Sequence, residues 1–164
     1  LAFAKLAYEL SEQFDTPVLL KMCTRIAHSQ SVVETGERVP GPERPYVKDG
    51  AKYIMMPGNA KRRHPVVEQR LRDLTAWADG GINRAEPGTD HSLGILTSST
   101  SYQYVKEVCG DHYPVLKFGM IHPLPVQKIL DFAKTVDKLI VVEELDGVIE
   151  THLRSHGITA IRST

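Results

Sequence analysis

Apolar positions recur along this chain first at helical spacing, then as a short continuous run, and from about residue 93 as a regular alternation of both. Leu6, Leu10 and Phe14 fall on one side of a helix predicted over residues 1–14. Asp15, Thr16 and Pro17 break it, and residues 18–22 then form a near-continuous apolar run, the pattern of a parallel strand covered on both faces. From residue 31 to residue 59 Gly, Pro and charges dissolve any period. This predicts an extended linker, with Tyr46, Tyr53, Ile54 and Met55 as anchors against a surface. The next helix is predicted over residues 65–79, with Pro65 in its first turn, Val67, Leu71, Leu74 and Ala78 on one face, and Gly80-Gly81 at its end.

The later pattern is more orderly. Strands are predicted over residues 93–97, 115–118 and 139–142, with a last one beginning at Ile158. Between them lie a helix over 101–109 ended by Gly110, one presenting Val126, Ile129, Leu130 and Ala133, and one over 148–156 stopped by Gly157. Strands alternating with helices of about ten residues imply right-handed crossovers and a mostly parallel sheet. The expected fold class is α/β, with the sheet domain over 85–164, a helix–strand remnant over 1–33, and a linker with one helix over 34–84.

Charge and composition narrow the partners. Twenty basic residues balance twenty acidic ones, so no net field exists to hold nucleic acid or an anionic membrane. No apolar stretch approaches the roughly 20 residues needed to span a bilayer. Cys23 and Cys109 belong to no CxxC or Cys/His pattern, which predicts reduced thiols and a cytoplasmic protein. The chain opens at Leu1 inside an amphipathic helix, and we therefore expect it to be a piece of something longer.

Candidate chemistry concentrates at the end of the first apolar run, where Thr24, Arg25, His28, Ser29 and Gln30 follow LLKMC. Ligands usually sit at the carboxyl ends of strands in α/β proteins, and a guanidinium, an imidazole and hydroxyls there suit a carboxylate or a phosphate. Arg25 and His28 serve equally well in a domain interface. Glu143 and Glu144 follow the strand LIVV, where a carboxylate either does acid/base work or accepts N–H bonds from a neighbouring helix. The hydroxyls of TSSTS read as caps for the helix that follows, because the turn lacks the glycines and lysine of a phosphate loop. The basic run Lys61 to His64 reads as a solvated or partner-facing patch. Among seven histidines only His152 and His156 stand four apart on a predicted helix, which without a third ligand reads as surface decoration; no metal site is expected.

The strings FDTPVLLKMCTRIAHSQSVVE, YIMMPGNAKRRH, SYQYVKEV and LIVVEELDGVIE together, in this order, resemble the alpha subunits of the indolepyruvate:ferredoxin oxidoreductase family. The HPLP segment at 122–125 and the VVEE that follows it resemble the three-layer carboxy-terminal domain of transketolases and related thiamine enzymes. The resemblance implies a thiamine diphosphate enzyme that oxidatively decarboxylates aryl-2-oxoacids to acyl-CoA and passes electrons through iron–sulfur clusters to ferredoxin. It assigns residues 1–33 to the end of a pyrimidine-binding-type domain and 85–164 to the transketolase-like one.

By the same resemblance the complete enzyme carries thiamine diphosphate, Mg2+ and iron–sulfur (4Fe–4S) clusters, and works with a beta subunit, ferredoxin and CoA. Neither a GDG-type segment nor four closely spaced cysteines occurs in this sequence, so the segment itself is expected to hold no cofactor and to be inactive alone. Its Thr24, Arg25, His28 and Ser29 are expected to border the 2-oxoacid site, with no catalytic residue of its own. The competing expectation is an assembly module that contacts a second subunit, a neighbouring domain or, as a homo-oligomer, its own copy. A further alternative keeps the family and changes the 2-oxoacid to pyruvate, 2-oxoglutarate or a branched-chain substrate.

Overall fold

The computed structural model describes residues 2–41 and 45–162. The chain divides into two compact units, Leu1–Glu68 and Gln69–Thr164.

In the first unit, α1 (Ala2–Phe14) buries Leu10. It ends at Asp15, whose φ of 49° turns the chain, and the Thr16 N–H donates to the Ser11 carbonyl at 3.2 Å. The Asp15 carboxylate is held by the Lys52 ammonium at 2.7 Å. The strand predicted over residues 18–22 does not form: the segment is neither helix nor strand, and Leu19 is 95% exposed. The reason lies in strand physics, since a parallel strand needs neighbours for its N–H and C=O groups and cover on both faces, and no described strand pairs with this run. The chain continues through α2 (Thr24–His28), a stretch whose described residues form neither helix nor strand, and α3 (Gly50–Tyr53), where Asp49 accepts a hydrogen bond from the Lys52 N–H at 3.0 Å. Tyr46, Tyr53, Ile54 and Met55, expected to anchor the linker, are all exposed.

The helix α4 (Pro57–Ala78) begins at Pro57 rather than at Pro65, and contains the boundary between the units. Pro57 takes the first helical position, where its missing N–H costs nothing. Pro65 instead sits inside the helix, on an exposed stretch where one lost backbone bond is tolerated. Only Leu74 and Ala78 of the predicted apolar face become buried.

The second unit holds a five-stranded sheet of β1 (Arg84–Glu86), β2 (Gly94–Ser98), β3 (Val115–Phe118), β4 (Leu139–Val142) and β5 (Ile161–Arg162), in the order β1-β3-β2-β4-β5. All neighbours are parallel except β1, which pairs antiparallel with β3. The helices α5 (Ser101–Cys109), α6 (Val126–Ala133) and α7 (Val148–Ser155) complete three layers. Ile95 and Val115 face the layer that contains Val105 of α5, with Tyr102 and Cys109 packed around them. Leu96, Leu116, Phe118 and Val141 face the other, with Ile129 and Phe132 of α6 and Ile149 and Leu153 of α7. Fully burying each such side chain contributes roughly 1.5–3 kcal/mol, so the central strands read as continuous apolar runs because both faces are covered.

Candidate functional site

Chain order against strand order locates the switch point of the sheet. The connection from β2 through α5 leads to β3 on one side of β2, and that from β3 through α6 leads to β4 on the other. The loops leaving β2 and β4 therefore part at their carboxyl ends, the position where open α/β sheets bind ligands. Residues 98–100 and 143–147 form the two lips. Thr100 Oγ1 donates across them to Glu144 Oε2 at 3.3 Å. Each lip carries a non-glycine residue in the left-handed region, Ser99 at φ 53° and Leu145 at φ 65°.

Glu143 does not point into this crevice as a free acid or base. One carboxylate oxygen accepts the Ile149 N–H at 2.9 Å and the other the Glu150 N–H at 3.2 Å, so the side chain caps α7. These are otherwise orphaned first-turn donors, and a charged acceptor at the positive helix end contributes about 1–2 kcal/mol. The capping reading of TSSTS fails: Thr100 precedes α5 without bonding its N–H groups, because its hydroxyl is engaged by Glu144. Thr97 Oγ1, at the end of β2, is buried without a hydrogen-bond partner.

The loop after β3 is fastened by a residue with no motif around it. Asn83 is fully buried, donates from Nδ2 to the Ala78 carbonyl at 2.7 Å, and accepts from the Gly119 and Met120 N–H groups at 2.9 and 3.0 Å. On the α5 side, Tyr102 donates to Glu86 at 2.8 Å, and the Lys117 ammonium lies 4.0 Å from the Tyr102 ring centroid. The bond to Glu86 raises the Tyr102 pKa, and burial, followed by the nearby Arg84 charge, lowers that of Lys117. Lys106 bridges Glu86 and Asp111. Only the strand pairing of β1, itself unpredicted, brings Glu86 here.

The structure places the sequence-predicted residues Thr24, Arg25 and His28 on one short helix, with Ser29 following it. Arg25 and His28, three apart, share the last turn, and all four side chains are exposed. Ser29 Oγ is spent on the Ile26 carbonyl at 2.8 Å. No hydrogen bond or ion pair with another described residue engages the Arg25 guanidinium or the His28 ring. The cluster follows a segment that pairs with no described strand, not a strand end. Cys23 and Cys109 are free thiols, and the described residues contain no group of three or more His, Cys, Asp or Glu arranged to hold a metal ion. No described helix is long and apolar enough to cross a membrane.

The class defined by this architecture is a doubly wound α/β domain, and a solved structure shares that fold. The 2-oxoglutarate:ferredoxin oxidoreductase from Magnetococcus marinus, solved with 2-oxoglutarate, coenzyme A and succinyl-CoA bound, superposes with a TM-score of 0.50 over 67% of this chain and 20% of its own, at 19% identity. No protein-family profile matches the chain. Among curated proteins, indolepyruvate oxidoreductase subunit IorA of Archaeoglobus fulgidus is 32% identical over 97% of this chain and 26% of its own length. IorA of Methanothermobacter thermautotrophicus is 34% identical over 92% and 25%. The chain is similar to the indolepyruvate oxidoreductase IorA subunits, and spans about a quarter of the length of the curated relatives it matches.

Proposed function

We propose that the chain is a non-catalytic segment of an oxidoreductase subunit that oxidatively decarboxylates aryl-2-oxoacids such as indolepyruvate to acyl-CoA and delivers the electrons to ferredoxin. The similarity to the Archaeoglobus subunit over 97% of the chain carries this reading. In it, residues 1–33 end a pyrimidine-binding-type domain, 34–84 connect, and 85–164 form the transketolase-like domain. The partners are a beta subunit, ferredoxin and CoA. Thiamine diphosphate with its Mg2+, and the iron–sulfur clusters, do not fit the residues present here: no three-donor group exists among the described residues, and Glu143 is spent on a helix end. That chemistry belongs to other parts of the complete protein.

What this segment contributes to the reaction is a binding wall. The Arg25 guanidinium pairs with the 2-oxoacid carboxylate, with Thr24, His28 and Ser29 beside it. The exposed, unengaged state of Arg25 supports this, because a guanidinium already paired within the chain would have to be released before it could bind substrate. A charge-assisted bond of this kind contributes roughly 1.5–3 kcal/mol. In the full-length enzyme, Arg25→Ala is therefore expected to raise the KM for the 2-oxoacid about 10- to 100-fold, with Arg25→Lys recovering part of the loss. Steady-state kinetics with both constants within twofold of the parent would remove Arg25 from the site.

A further inference from the structure

Residues 18–22 carry the signature of a buried strand and lie in the open. In the second unit the runs GILTS, VLKF and LIVV are each paired along both edges, and Ile95, Leu96, Leu116 and Val141 are buried there. The run VLLKM has the same make-up. Alternation puts Val18, Leu20 and Met22 on one face and Leu19 and Lys21 on the other, just as β3 sets Leu116 and Phe118 against Val115 and Lys117. Yet residues 17–22 are all exposed, and no hydrogen bond joins their backbone to another described residue. Leu10 is the one buried hydrophobic residue among the described residues of the first unit, so that unit has no core of its own to receive the run. We propose that residues 18–22 are an inserting strand, completed by a parallel sheet edge that another part of the same polypeptide supplies, and that this pairing places Thr24, Arg25, His28 and Ser29 at a strand's carboxyl end.

The occupant follows from pattern and length. A run apolar on both faces needs neighbouring strands along its edges and cover above and below. The Archaeoglobus subunit matches 97% of this chain with only 26% of its own length, so its remaining length has room for such a sheet within one polypeptide. A second copy cannot supply it: the copy's run is equally bare, and pairing the two leaves each with an open edge and both faces in water. The strand also gives the candidate site its place. Ligands bind beyond the carboxyl ends of parallel strands, and α2 begins at Thr24 with only Cys23 between it and the run. This inference rests on the proposed place of the chain within a larger oxidoreductase subunit.

The test is amide hydrogen exchange over residues 18–22, read by mass spectrometry in the full-length subunit and in the 164-residue chain. Exchange in the full-length subunit is expected to be slower by on the order of 100-fold or more. Leu19→Asp should return it toward the free rate there, and leave exchange in the 164-residue chain unchanged, where Leu19 already faces water. Exchange needs no turnover, so kinetics that remove Arg25 from the substrate site leave this result standing, and the two proposals fail separately. Free exchange in the full-length subunit would overturn the strand. So would protection that appears only when the beta subunit is added, or in the 164-residue chain as its concentration rises, since the occupant would then be a partner chain or a second copy.

Discussion

Replacing Asn83 with Ala is expected to destabilise the second unit by about 3–5 kcal/mol, because it orphans one buried and two part-buried backbone groups at once. The Gly119 and Met120 N–H groups lose their acceptor and the Ala78 carbonyl loses its donor. Nothing nearby can replace them: Asn83 is fully buried, and the Gly119 position is so close that a Cβ there would lie 2.5 Å from the Ile82 carbonyl oxygen. Asn83→Asp is a sharper probe, since it keeps the acceptor for both N–H groups and loses only the donor to Ala78. Urea unfolding followed by circular dichroism checks both, with the order parent, Asp variant at high pH, Ala variant. A loss below about 1 kcal/mol for the Ala variant would mean that water takes over the three bonds.

Gly88→Ala is expected to be nearly as damaging, at about 3 kcal/mol, for a purely steric reason. A Cβ at this position would stand 2.3 Å from both the Pro114 nitrogen and the Tyr113 carbonyl carbon, which are backbone atoms and cannot rotate away. Retreat is also blocked, because the next two residues, Thr89 and Asp90, each donate a backbone N–H to the His112 carbonyl at 2.9 Å. Gly81→Ala is the control, since nothing lies within 4 Å of a Cβ there; its effect should stay within about 0.5 kcal/mol. Thermal unfolding of the two variants side by side separates the close approach at Gly88 from any general effect of losing a glycine.

The same two residues show why legibility from sequence was uneven. The buried runs GILTS, VLKF and LIVV read directly as parallel strands, since cover on both faces leaves an apolar signature in each one separately. Asn83 has no such signature: two of its bonds reach 36 and 37 residues along the chain, and a polar residue between Gly81 and Arg84 looks like any loop position. The strand β1 escaped for a related reason, because three residues reading Arg-Ala-Glu become a strand only through pairing with β3. The opposite error occurred at 18–22, where an apolar run carries the strand pattern but finds no described neighbour.

The candidate sites divide along the same line. Glu143 was legible as one of two alternatives, and its partners six and seven residues ahead decide for the helix cap. The Thr24, Arg25, His28 and Ser29 group was found from residue types alone, and the structure gathers it on a short helix and its flank. Of the histidine pair expected to decorate the surface, His156 is exposed and His152 half-buried, with a buried Nε2 that helical spacing alone does not reveal.

Central to this account is that the α/β unit serves as scaffold, and that its strand-end carboxylate holds a helix instead of moving a proton. The most direct measurement is the kcat of full-length Glu143→Gln, taken with 2-oxoacid and ferredoxin well below the variant's unfolding temperature. A turnover within about twofold of the parent is expected, alongside a modest loss of stability from the weakened cap. A fall of about 10²-fold or more in a folded variant is the signature of a general acid or base, and would contradict the account.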